Sequence, residues 1–140
     1  MRALIVLMVL FACGAVNAKD ICYRLVQKSN VASEDKQFFP RILILENEPS
    51  KAPFAEKDDK KLAWLGLSVR YEKYFHEHSF WRKSGDHLLA VVSSGFDGLE
   101  IGVVERAGKT FGTARPFADI PDDRNRYEVE MVRIDCPRAQ

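Results

Sequence analysis

The usual signatures of catalysis are missing from this sequence. It has no Gly-x-Ser-x-Gly elbow, no phosphate-binding glycine loop and no His-Glu-x-x-His pair, so it lacks the common scaffolds for an activated serine, a nucleotide or a catalytic zinc. Histidine is scarce, at three residues. An excess of one charge is absent too: 21 Lys and Arg face 20 Asp and Glu. A balanced chain has no electrostatic reason to seek nucleic acid, and no basic stretch forms a membrane-surface patch. Carboxylates are plentiful, but nothing in their spacing, the Asp122-Asp123 pair included, sets two acids at a catalytic separation. These absences predict a non-enzyme with no cofactor and no nucleic-acid partner.

Only one stretch is strongly apolar. Arg2 precedes an unbroken run from Ala3 to Ala12, and small residues then lead to Val16-Asn17-Ala18. A positive start, a short apolar centre and a small-residue site predict an export signal over residues 1–18. The run is too short to span a bilayer comfortably, and no later segment forms a second anchor, so no membrane span is expected. An alternative makes Leu10-Phe11-Ala12-Cys13 a lipoprotein box with Cys13 lipidated, although Phe11 is bulky where such boxes carry a small residue. The chain from Lys19 to Gln140 then has the size of one ordinary domain, expected in the periplasm or outside the cell.

Cysteine is also sparse. With Cys13 in the signal, Cys22 and Cys136 remain near the two ends of the exported chain. In an oxidising compartment they have one possible intramolecular pairing, so a bridge is expected. The alternative, a reactive thiol, lacks a flanking histidine at either position.

What the chain does contain is alternation. Ile21, Tyr23 and Leu25 share one strand face; Arg41-Ile42-Leu43-Ile44-Leu45 is a continuous apolar strand. Residues 31–40 read as a polar loop. The stretch from Pro49 to Lys61, with its Glu56-Lys57-Asp58-Asp59-Lys60-Lys61 charges, reads as long and exposed. Residues 62–71 fit either period, and Gly66 with the β-formers tilts the reading to strand; another strand is expected over residues 74–83. Residues 86–94, 99–106 and 109–117 form a meander joined by Ser94-Gly95-Phe96-Asp97-Gly98 and Ala107-Gly108-Lys109, and Tyr127 to Cys136 supplies the last strand. About eight strands in up-and-down order predict an all-β fold, a small antiparallel barrel whose first and last strands close the sheet. A two-sheet sandwich is the alternative.

The segments Trp81-Arg82-Lys83-Ser84-Gly85-Asp86, Ala90 to Leu99, Gly112-Thr113-Ala114 and Phe117-Ala118-Asp119 together resemble a group of small, uncharacterised secreted bacterial proteins. The likeness implies bacterial export and a meander, and it implies no activity. In architecture the chain resembles lipocalin-type barrels, but Ile21-Cys22-Tyr23-Arg24-Leu25 stands where their Gly-x-Trp motif belongs. Ser94-Gly95 is faintly similar to the Ser-Gly loop of barrel-type envelope lysozyme inhibitors; two residues assign no family.

Three candidate sites emerge. On a strand, His76 and His78 would point the same way and, with His87 as a third ligand, could hold zinc or copper; the competing reading is a polar strand tip. Trp64, Tyr71, Trp81, Phe96 and Phe111, with Phe80 and Tyr23, could line a cavity for an apolar ligand, against the default of a filled core. Phe96 at a hairpin tip either plugs the barrel end, the favoured reading, or inserts into a partner. The leading functional expectation is therefore an exported, non-enzymatic binding domain for a small apolar molecule or an envelope component. A protein inhibitor or interaction module using the Gly95–Gly98 tip, and a metal-binding protein, are the alternatives.

Overall fold

The computed structural model describes residues 19–118 and 125–138. The expected export signal with Cys13, and Asp122-Asp123, lie outside the described residues. Eight strands form a closed antiparallel barrel in sequence order: β1 (Ile21–Gln27), β2 (Ile42–Pro49), β3 (Lys60–Leu65), β4 (Phe80–Ser84), β5 (His87–Ser93), β6 (Gly98–Arg106), β7 (Lys109–Phe117) and β8 (Tyr127–Ile134). One short helix, α1 (Glu72–His78), lies between β3 and β4. Closure is made by β1 on β8, in a register running from Cys22 opposite Ile134 to Gln27 opposite Val129. Among the described residues every strand pairs on both sides, β3 meeting β4 only at Lys60 and Lys61, so the ring leaves no long edge for another chain to extend. Among the described residues no helix is long and apolar enough to cross a membrane.

Strand alternation builds the core. Tyr23 and Leu25 of β1, Leu43 and Leu45 of β2, and Leu62 and Trp64 of β3 turn inward. They meet Trp81, Leu88, Ala90 and Val92 of β4 and β5, Leu99, Ile101 and Val103 of β6, and Tyr127, Val129 and Met131 of β8. On β7 the inward positions are small: Gly112 lies opposite Val103 and Ala114 opposite Ile101, so the large β6 side chains fill the space. The interior is a packed core, which suits the size of an eight-stranded ring. The sulfur atoms of Cys22 and Cys136 are bonded, with Cα atoms 5.1 Å apart, and the bridge fastens the chain after β8 onto β1. Such a bond is consistent with an oxidising, extracytoplasmic compartment.

Several local expectations are corrected. The strand expected over residues 62–71 stops at Leu65, because Gly66 takes φ +75° and turns the chain out of the sheet. The strand expected from Tyr74 begins only at Phe80, and residues 72–78 are helical instead. Glu72 and Lys73 stand one turn before His76 and Glu77, and both pairs approach, at 3.6 and 4.0 Å, as i,i+4 neighbours do on a helix. The β2–β3 connection is not simply solvated: Asp59 is buried and receives Arg82 at 2.9 Å and the Glu56 backbone N–H at 2.8 Å. The "polar loop" between β1 and β2 likewise buries Val31, Asp35 and Phe39.

Candidate functional site

Up-and-down order puts the connections over residues 28–41, 66–79 and 94–97 at the end of the barrel away from Ile21 and Ile134, the end at which β7 finishes and β8 begins. These three enclose a groove of about 680 Å³. Phe38 comes from the first, Val69, Arg70, Tyr71, Tyr74 and Phe75 from the second, and Ser94, Phe96 and Asp97 from the third. Phe75 is the one buried residue of α1; it packs edge-on to Trp64 with ring centroids 6.4 Å apart, and so moors the helix to the core. That leaves Tyr71 and Tyr74, three residues apart, on the outside of the same turn. They are 58% and 55% exposed, and Phe96 is 71% exposed.

The Phe96 tip is immobilised from within. The Ser94 hydroxyl donates to the Asp97 carboxylate and accepts the N–H groups of Phe96 and Asp97, at 3.3 and 3.2 Å. The Ser94 N–H donates to the Asp97 carbonyl at 2.9 Å. Behind them runs a buried relay. The Ser79 hydroxyl donates to the Phe75 carbonyl and accepts the Ser93 N–H at 3.0 Å, and the Ser93 hydroxyl accepts the Gly95 N–H at 2.9 Å. One chain of hydrogen bonds therefore ties α1, which carries one wall of the groove, to the tip that carries the other.

The connection that brings Phe38 to the groove is held by a second network. Tyr127 donates its hydroxyl to buried Asp35, Asn125 donates to the same carboxylate oxygen at 2.9 Å, and the Ala32 N–H donates to the Tyr127 oxygen at 3.2 Å. Burial, reinforced by the hydrogen bond to Asp35, pushes the Tyr127 phenol above its ordinary range. The 28–41 connection, with Phe38 and Phe39, is thereby pinned across the barrel mouth to the start of β8.

No protein-family model, curated protein or solved structure matches this chain.

Of the five residues expected to line one ligand cavity, only Tyr71 and Phe96 come together. Trp64 and Trp81 are core residues, and the Trp81 indole N–H is already given to the Glu46 carbonyl at 3.0 Å. Phe80 and Tyr23 are buried as well. Phe111 is exposed on the outer wall of β7, because the neighbouring Gly112 and Ala114 take the inward positions. Phe96 does not plug the barrel. Phe38, Phe39 and Phe75 already close that end, and the serine-bonded turn aims Phe96 outward.

The proposed metal ligands are not gathered either. On α1, His76 and His78 are about 200° apart around the helix rather than on one strand face. The His76 ring stacks on Trp64 at 4.1 Å, and the His78 Nδ1 donates to the Tyr74 carbonyl at 2.7 Å. His87 begins β5, about 20 Å by strand rise from the Ser93 end where α1 packs, with Asp86 3.4 Å away. Among the described residues no group of three His, Cys, Asp or Glu side chains is placed to hold a metal ion. Tyr74, Arg70, Val69 and Phe38 are site residues that sequence reasoning missed; the Tyr71–Tyr74 spacing is a signal only once the segment is known to be helical.

Proposed function

We propose that this protein is an exported, non-enzymatic interaction module that holds a protein partner against the loop end of its barrel, in the periplasm or outside the cell. One observation carries the reading: Phe96 stands 71% exposed on a tip whose backbone is already fixed, beside exposed Tyr71 and Tyr74. Large apolar side chains in the open normally find cover, and grouped aromatics with an arginine are the composition of binding hot spots. A pre-ordered tip also avoids the entropy that a flexible loop loses on binding. The bridged cysteines fit the exported setting.

A second reading has support from the groove's volume, which suits a small apolar ligand. Native mass spectrometry of protein taken from its own compartment separates the two by the mass that travels with the chain. The direct test replaces Phe96 by a photo-cross-linking phenylalanine in the same setting, with Lys57 at the opposite end as control. A discrete protein adduct is expected from position 96 and none from position 57. No adduct at 96, or the same adducts from both positions, would overturn the protein-partner reading.

A further inference from the structure

We infer that the partner fitted by this patch is a second copy of the chain, docked about a two-fold axis with each Phe96 seated in the other's groove. The inference rests on the binding role proposed above and names its partner. A two-fold interface uses the same patch on both subunits, so that patch must carry a projection and its own receptor side by side. This one does. Phe96 is the projection, and the depression between Tyr71, Tyr74 and Phe38 lies next to it in the same groove.

Charge follows the same pattern. Arg70 is exposed, with its guanidinium 5.7 Å from the Tyr71 ring centroid, and it forms no ion pair with a described carboxylate. Asp97 follows Phe96 directly on the projection, half-buried, with one carboxylate oxygen accepting the Ser94 hydroxyl and the side chain lining the groove. Arg70 and Asp97 line one groove without pairing to each other in one chain. Across a two-fold axis each Asp97 that accompanies Phe96 into the opposite groove approaches the other copy's Arg70, and the contact occurs twice. A guanidinium backed by an aromatic ring and meeting a carboxylate in a partly desolvated groove is a strong arrangement for this pair.

Symmetry makes the test sensitive, because one substitution removes two contacts. Sedimentation of the purified exported chain over a concentration series is expected to show a monomer–dimer equilibrium. Phe96→Ala, Arg70→Glu and Asp97→Lys should each weaken it by about 100-fold, if each of the two contacts is worth roughly a factor of ten. Mixing provides the decisive arm. Arg70→Glu and Asp97→Lys each juxtapose like charges twice with themselves, whereas one copy of each restores two opposite-charge pairs. The mixture is expected to dimerise where neither variant alone does, a rescue that a damaged fold would not produce. A chain that stays monomeric at every concentration overturns the inference. So does a dimer that Phe96→Ala and Arg70→Glu leave intact, or a mixture that remains monomeric. A monomeric result leaves the protein-partner reading standing, to be judged by the cross-link at position 96.

Discussion

At Ala107 the backbone takes φ +50°, with Gly108 following at φ +74°. This is the two-residue turn that matches the twist of the β6–β7 hairpin, and its first position prefers a residue without a Cβ penalty. Ala107→Gly is therefore expected to stabilise the protein by about 0.5–1 kcal/mol, despite the added freedom of the unfolded chain. Urea denaturation checks the sign. Gly98 is the opposite case: a Cβ there would lie 1.9 Å from the Val92 carbonyl oxygen. Gly98→Ala must move the backbone where β6 leaves the tip, and a loss of about 2 kcal/mol or more is expected in the same assay.

Tyr127 makes a pH prediction. Its phenol ionises at higher pH in the folded protein than in the unfolded chain, where the reference value is 10.0. The neutral phenol thus contributes stability that is fully present below that value and is lost as pH rises through the folded-state value. Tyr127→Phe should be less stable at neutral pH by about 1–2 kcal/mol, since among the described residues Asp35 then keeps Asn125 alone as a side-chain donor. The variant should also lose part of the alkaline decline, which denaturation measured from neutral pH to above pH 10 would reveal. An unchanged alkaline slope would count against the buried Tyr127–Asp35 pair.

Among the elements, α1 is the least self-sufficient. Seven residues make two turns, with no side-chain cap on Tyr71, and helices this short depend on tertiary support. Phe75 supplies the apolar mooring and Ser79 the polar one. Ser79→Ala is expected to cost about 1–2 kcal/mol, because it strands the buried Ser93 N–H. It should also speed hydrogen exchange at the Ser93 and Gly95 amides beyond that loss of global stability. If exchange there rises no more than elsewhere, the relay between helix and tip is not a mechanical link. The same element marks where sequence reading failed. A two-turn helix with one buried residue shows no 3.6-residue period, while Phe75 and Glu77 alternating with Tyr74, His76 and His78 imitate a strand. By contrast, β5, β6 and β7 were legible because seven to nine residues of alternation are bounded by glycine turns.

For the molecule as a whole, the decisive contact is the closure of β1 on β8, reinforced by a disulfide across 114 residues of separation. A loop of that length loses much entropy when cross-linked in the unfolded state, so the bridge contributes about 4–5 kcal/mol in the chain-entropy account. Cys22→Ser is expected to lower the oxidised protein's stability by that order and to leave its stability in reductant nearly unchanged. Equal losses under both conditions would show that Cys22 matters through packing, since its side chain is also buried.

Alternation, turn residues and the placement of Cys22 and Cys136 were enough to read about eight antiparallel strands in up-and-down order with joined ends, because hairpin pairing and period-two burial are local rules that a strand carries in its own residues. Closure into one barrel rather than two packed sheets was decided by the pairing of β1 with β8. The groove was decided only in three dimensions. Its walls come from connections far apart in the chain, and Phe96 faces outward because other aromatics occupy the barrel end. The sequence names the aromatic residues; which of them meet solvent depends on competition for a finite interior, settled only when the ring closes.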